Sequence, residues 1–270
     1  MPELPEVHTV VHSLSKKIIN LKPIKYHELW HKVNYSKNSK LLHHKISDTI
    51  IKNIDRRGKY IVIDIEDAFI IFHLRMTGYL YHSKAIPLSN KHIRCYFTFS
   101  DNSFLIFEDI RKFGGFYFTK SLNILKNKIG LDALDPQMTG SWLFGIMKKK
   151  ELKIKYFLLN QKFICGLGNI YIDEILWESM IHPLCKTNKI NIKKTYKLVS
   201  AIRKVLNESI RYHGTTFMNF KFDNMKTGNY KSKLNVFDRK NKACKRCENI
   251  ITKKHICGRG TYFCPNCQKL

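Results

Sequence analysis

The sequence predicts an α+β protein: an antiparallel β-sandwich or barrel with a flanking helix, followed by a helical segment and a small cysteine-bearing tail. Three observations carry that reading. Apolar residues recur at helical spacing over residues 7–18, strand-like runs fill residues 50–120, and two Cys-x-x-Cys pairs stand near the end.

Taken in order, Val7, Val10, Val11, Leu14 and Ile18 share one helix face, with Lys16 and Lys17 at its solvated end. The strand-like runs are Ile61–Ile65, Phe69–Phe72, Arg94–Phe99, Phe104–Glu108 and Gly115–Thr119, and Ser100-Asp101-Asn102-Ser103 reads as a hairpin turn between two of them. Periodicity fades at about 130–150, where Asp135-Pro136 and Thr139-Gly140 suggest a connection. Helices follow at Asn169–Ser179 and at 191–211, the latter striped by Ile192, Tyr196, Val199, Leu206 and Ile210. The expected division is therefore 1–130, a linker at 131–150, a domain at 151–235 and a tail at 236–270.

Lys and Arg number 48 against 21 acidic residues, a net charge of +27 with His neutral. Such a balance favours a polyanionic partner, nucleic acid ahead of an anionic membrane, because contact with phosphates releases counterions. No apolar run reaches the roughly 18 residues of a spanning helix, and the start lacks a signal-peptide layout, so the cytosol is expected.

Cys244, Cys247, Cys264 and Cys267 form two knuckles suited to one structural zinc held by four thiolates; a pair of disulfides is the alternative, disfavoured in a cytosolic chain. Each knuckle is expected at the turn of a short hairpin. His255 and Cys257 lie between the knuckles and rank below the four as ligands. About 35 residues bury little core, so zinc would supply much of the tail's folding free energy.

Pro2-Glu3-Leu4-Pro5-Glu6 reads in two ways. Its prolines and acids suit a helix start. Removal of Met1 would also leave Pro2 as a secondary amine, with a reference pKa of about 7.7–8.0, beside Glu3 and Glu6. Attack on a sugar carbon by such an amine yields an iminium that favours elimination at the next carbon. Gly166-Leu167-Gly168-Asn169, ahead of a helix, suits either a cap or a phosphate site. Lys148, Lys149, Lys150, Lys153 and Lys155 form either a solvated face or the lining of a DNA groove.

PELPEV at the start, RRGKY at 56–60, HLRMTG at 73–78, RKFG at 111–114, ICGLGNIYIDE at 164–174 and the terminal knuckles stand in the order shown by bacterial formamidopyrimidine-DNA glycosylases. The sequence resembles that family over nearly its whole length. The resemblance implies an N-terminal β-sandwich with flanking helices, a helix-two-turn-helix domain and a C-terminal zinc ribbon, with DNA in the cleft between the halves. It further implies a monomer that excises oxidised purines from double-stranded DNA and cleaves the abasic strand.

On the matching motifs, Pro2 would be the nucleophile, Glu3 the proton donor, and Glu6 a positioner of base or water. Lys59 and Arg259 would assist elimination. Met76, Arg111 and Phe113 would fill the void left by the extruded nucleotide, and His92, Arg111, Lys155 and Asn169 would contact DNA. Residues 215–230 would cover the flipped base, with Phe217, Phe220 and Phe222 in a pattern of their own. The family usually has DPRRFG where this chain has DIRKFG. Two other readings are an endonuclease VIII-like glycosylase for oxidised pyrimidines and a zinc-ribbon DNA-binding protein without chemistry.

Overall fold

Helix α1 (Leu4–Ile18) takes Pro5 in its first turn, where the missing N–H costs no hydrogen bond, and buries Val7, Val10, Leu14 and Ile18. The computed structural model describes residues 1–36, 39–47, 49–87, 89–217, 220–223 and 225–270. Two units divide the chain, Met1–Lys126 with Tyr212–Asn229 and Asn127–Arg211 with Tyr230–Leu270.

In the first unit, α1 is followed by β1 (Pro23–Glu28), α2 (Ser39–Ile46), β2 (Asn53–Arg57), β3 (Tyr60–Asp64), β4 (Phe69–His73), β5 (Gly78–Ser83), β6 (Ile93–Phe99), β7 (Phe104–Asp109), β8 (Gly115–Thr119) and the short α3 (Asn123–Lys126). The strands form two four-stranded antiparallel sheets, ordered β1-β6-β7-β5 and β2-β3-β4-β8. They make a sandwich rather than a closed barrel. Phe72 of one sheet meets Phe97 and Phe107 of the other at ring-centroid distances of 6.4 and 5.4 Å, within a core that also takes the apolar face of α1.

Strands β1, β2 and β5 lie outside the five runs expected from sequence. β1 starts at a proline and carries lysine, and β2 reads Asn-Ile-Asp-Arg-Arg with one apolar residue, so neither has the run of apolar residues that marks a buried strand. Cross-strand pairing supplies what their own sequence lacks. The β2–β3 hairpin closes at Gly58-Lys59, where φ of +57° at Gly58 meets the turn's demand for a residue without Cβ.

Residues 212–229 follow the last long helix in sequence yet belong to the first unit, a departure from the continuous 151–235 domain. The physical cause is apolar: Phe222 is buried in the sandwich core and Phe220 packs against it. An ion pair between Lys17 of α1 and Asp223 adds to the anchorage. Met218, Asn219 and Asn224 of the expected covering loop lie outside the described residues.

The second unit contains β9 (Leu131–Asp132), α4 (Gly140–Lys148), α5 (Ile154–Leu159), β10 (Ile164–Cys165), α6 (Asn169–Glu178), α7 (Ile192–Arg211) and the hairpin β11 (Thr252–Ile256) and β12 (Arg259–Phe263). Residues 131–150 are thus no bare connection. Thr139 Oγ1 accepts the Trp142 N–H at 3.1 Å to cap α4, which packs on α7 through the buried Leu143 and Met147. Among the described residues, no helix is long and apolar enough to cross a membrane.

Candidate active site

The N-terminal residues are built into the first unit. Pro2, Glu3 and Glu6 are buried, whereas Met1 is exposed. Glu3 precedes the first turn of α1, and its N–H donates to Glu6 Oε2 at 2.8 Å. The other oxygen of Glu6 accepts the Thr215 N–H at 2.7 Å, so one carboxylate ties the chain's start to segment 212–229. Gly214 makes this approach possible: its φ is +83°, and a Cβ there would stand 2.6 Å from Glu6 Oε1.

Lys59 sits in the β2–β3 turn and is 6% exposed. His73, at the end of β4, shares its surroundings. Burial first, then the charges of Arg75 and Lys59, push the imidazole down to about 3, because a second cation beside Lys59 in a desolvated site is unfavourable. The neutral ring accepts the Arg75 N–H on Nδ1 at 3.0 Å and stands edge-on to Tyr60 at 4.6 Å.

Three residues expected to fill the DNA void project from two turns of this same unit. Met76 is 42% and Phe113 51% exposed, and the Arg111 guanidinium lies 4.6 Å from the Phe113 ring centre. Both turns hang on Asp109, a residue the sequence reading missed. Its carboxylate accepts the Thr77 hydroxyl and the N–H groups of Arg111, Phe113 and Gly114, the last two at 2.8 and 2.7 Å. The Asp109 N–H donates to the carbonyl of His92 at 2.9 Å, bringing the expected DNA-contacting histidine to the same point. The sequence signal was an acidic residue at the end of an apolar strand, just before a glycine-bearing turn.

In the second unit, Lys155 contradicts its expected role. Its side chain is 0% exposed, and Nζ lies 2.6 Å from Asp173 Oδ1, so it is withdrawn from any contact with DNA. Helix α5 places Ile154, Lys155, Phe157 and Leu158 inward and leaves Lys153, its N-cap residue, at the surface. Asp173 Oδ2 accepts the Tyr262 N–H at 2.8 Å. Burial pushes the Asp173 carboxyl up to about 7, against the downward pull of Lys155 and the Tyr262 N–H. Neighbouring Glu174 accepts N–H groups of Asn235, Val236 and Phe237, each at 2.8 Å, so consecutive acids of α6 hold both strand β12 and the chain leading into the tail. Two acids inside an otherwise apolar helix, Ile170-Tyr171-Ile172-Asp173-Glu174-Ile175-Leu176, were the available clue.

Gly168, rather than Asn169, is the N-cap of α6. Asn169 opens the helix, its Nδ2 donating to the carbonyl of Gly260 at 3.0 Å. Gly260 follows Arg259, which is exposed at the start of β12, so the structure brings Asn169 and the Arg259 backbone together.

The four cysteines converge. Their sulfurs all lie within 4.8 Å of one another, with Cys244–Cys267 at 3.9 Å and Cys247–Cys264 at 3.4 Å. Zinc–thiolate bonds of about 2.3 Å in a tetrahedron require sulfurs about 3.8 Å apart, and four soft thiolates are the donor set of a closed structural site. The residues fit one zinc. Cys244 also accepts the Trp177 indole N–H at 3.3 Å, the outer-shell contact that orients a ligand sulfur. His255 and Cys257 stand outside this cluster. One hairpin, β11–β12, spans the interval between the knuckles, in place of one per knuckle; the first knuckle is closed by the bridge Ala243–Ile250.

A sandwich with a buried Pro-Glu start, a helical unit and a four-thiolate ribbon together define a class of two-unit zinc-ribbon proteins. Comparison with known proteins makes the assignment specific. Models of the formamidopyrimidine-DNA glycosylase N-terminal domain, of its H2TH domain and of the zinc finger found in FPG and IleRS match residues 1–116, 129–221 and 241–270. The formamidopyrimidine-DNA glycosylases of Protochlamydia amoebophila and Pelotomaculum thermopropionicum are 36% and 37% identical to this chain, each over the full length of both proteins. A Lactococcus lactis FPG variant in complex with Fapy-dG containing DNA aligns with a TM-score of 0.92 at 32% identity, covering 100% of both chains. MutM in complex with carbocyclic 8-oxo-G containing DNA aligns at 0.91 and 33%, again over 100% of both. The chain belongs to the formamidopyrimidine-DNA glycosylase family.

Proposed function

We propose that this protein is a bifunctional DNA glycosylase and abasic-site lyase that removes oxidised purines, 8-oxoguanine and formamidopyrimidines, from double-stranded DNA in base excision repair. The observation that carries the reading is the buried Pro2 beside Glu3 and the twice-bonded Glu6. Once Met1 is removed, the Pro2 nitrogen attacks C1′ of the flipped nucleotide, and the bond from C1′ to the base breaks. Glu3 donates a proton as the base leaves and the sugar ring opens. The resulting iminium draws electrons from C2′, so loss of a C2′ proton expels the 3′ phosphate, and a second elimination expels the 5′ phosphate.

Glu6 positions the base or a water, and Lys59 serves the elimination steps. Met76, Arg111 and Phe113 hold the void, with His92 on the backbone. In the second unit, Asn169 and Arg259 bind phosphate, Arg259 assisting the last elimination, and the exposed Lys153, not the buried Lys155, contacts DNA. On this reading residues 1–126 with 212–229 do the chemistry, 127–211 bind DNA, and 236–270 form the zinc finger of a monomeric cytoplasmic enzyme.

Borohydride trapping on a duplex containing 8-oxoguanine tests the reading. A covalent adduct is expected with the processed chain and none with Pro2→Gly or with Met1 retained. An undiminished adduct in either would overturn the role of Pro2.

A further inference from the structure

Asp109 ends strand β7 and its side chain is entirely buried; among the described residues its carboxylate is hydrogen-bonded by neutral donors, with the charge of Arg94 nearby. Its charge is balanced by donors drawn from two separate turns. Oδ1 accepts the hydroxyl of Thr77, the residue after Met76, and the Arg111 N–H at 3.2 Å. Oδ2 accepts the N–H groups of Phe113 and Gly114. The Thr77 oxygen in turn accepts the Arg111 N–H at 3.2 Å, linking the two turns directly. The backbone of Asp109 is fixed as well: its carbonyl accepts Arg94 Nε at 2.8 Å.

These contacts hold conformations that the chain would not otherwise keep. Arg75 and Lys112 both have positive φ, +52° and +57°, which costs a non-glycine residue of order 1 kcal/mol. Gly114 is pressed so closely that a Cβ would stand 2.8 Å from the Phe107 ring and 3.2 Å from Asp109 Oδ2. Tyr35 adds a brace on the far side, its hydroxyl donating to the Phe113 carbonyl at 2.8 Å. Two exposed apolar side chains and one guanidinium are thereby held at fixed positions relative to one another. That is the requirement for a probe entering a base stack, where unstacking must be met by a shaped filler.

We propose that Asp109 is a positioning residue for base extrusion: its buried carboxylate locks the Met76 turn and the Arg111–Phe113 turn into one rigid element that occupies the vacated space in the duplex. The inference rests on the reading that Met76, Arg111 and Phe113 fill that space. Asp109→Asn is the discriminating change. An amide has the same shape, but its NH₂ cannot accept from an N–H: turned toward Phe113 and Gly114 it loses both contacts, and turned toward Thr77 and Arg111 it loses the Arg111 N–H and reverses the Thr77 hydrogen bond.

The test uses the processed enzyme at saturating concentration on an 8-oxoguanine duplex carrying 2-aminopurine beside the lesion pair. Single-turnover base excision in Asp109→Asn is expected to fall about 10- to 100-fold, as misplacement of an aligned group does. The 2-aminopurine signal for unstacking should fall with it, while strand cleavage at a preformed abasic site falls less. Thr77→Val, which removes one donor and buries no new polar group, keeps the test open should Asp109→Asn fail to fold; its excision should fall severalfold. Wild-type excision and fluorescence in both folded variants, with Phe113→Ala impaired, would overturn the positioning role. If Phe113→Ala and Met76→Ala also excise and unstack normally, the void-filling reading itself falls, and the inference with it.

Discussion

Lys155 Nζ and Asp173 Oδ1 lie 2.6 Å apart with neither side chain exposed, and Asp173 carries the tie onward to strand β12. Removing one member leaves the other charge buried and unpaired. Lys155→Met is expected to lower unfolding free energy by about 3–5 kcal/mol, and adding Asp173→Asn, which removes the unpaired charge and keeps an acceptor for the Tyr262 N–H, to recover much of that loss. Chemical denaturation of the three proteins checks this; a single-variant loss under about 1 kcal/mol would contradict it. Lys153→Ala, at the surface, should instead leave stability unchanged and reduce the salt slope of DNA affinity by about one.

Glu6 joins α1 to segment 212–229 only because Gly214 lets the chain pass close by. Gly214→Ala meets both a positive φ and a Cβ contact 2.6 Å from Glu6 Oε1. The expected cost is about 1–3 kcal/mol, with faster amide exchange at Thr215. Exchange at Thr215 unaltered from the parent protein would show that the Glu6 contact does not depend on this glycine.

His73 makes the first unit acid-sensitive. Its imidazole is held down to about 3 in the folded chain against an ordinary 6.5, so above pH 6.5 it is neutral in both states and contributes no pH dependence. As pH falls below 6.5, the unfolded chain takes up a proton that the folded chain refuses. Stability is then lost by about 1.4 kcal/mol per pH unit from this group, down to the folded value. His73→Phe keeps a ring against Tyr60 and should flatten that slope between pH 6.5 and 4. Parallel stability profiles for the two proteins would rule the histidine out as the source.

The zinc ribbon packs on α6 through Trp177, whose indole also bears the Arg246 guanidinium at 4.0 Å. Chelation or Cys244→Ser is expected to unfold residues 236–270 and weaken DNA binding, with the sandwich retained. Metal analysis paired with near-ultraviolet spectra, read against Trp177→Phe to separate this indole from Trp30 and Trp142, gives the readout. Unchanged spectra after complete zinc loss would show that the ribbon folds without metal.

What could be read in the chain by itself was whatever its neighbours along the sequence decide. The strand Gly115–Thr119 and the helix Asn169–Glu178 follow from periodicity, and the zinc knuckles from ligand spacing, because each needs only a few consecutive residues. The order of motifs also singled out Pro2, Glu3, Glu6, Arg111 and Arg259 as candidates. Pairing between distant segments decided the rest. β2 is a strand because β3 lies beside it, 212–229 joins the sandwich because Phe222 finds a core there, and a lysine run gave no hint that Lys155 points inward to Asp173. Asp109 and His73 gain their importance from groups that fold around them, since burial and hydrogen-bond geometry are properties of the assembled packing and not of local sequence.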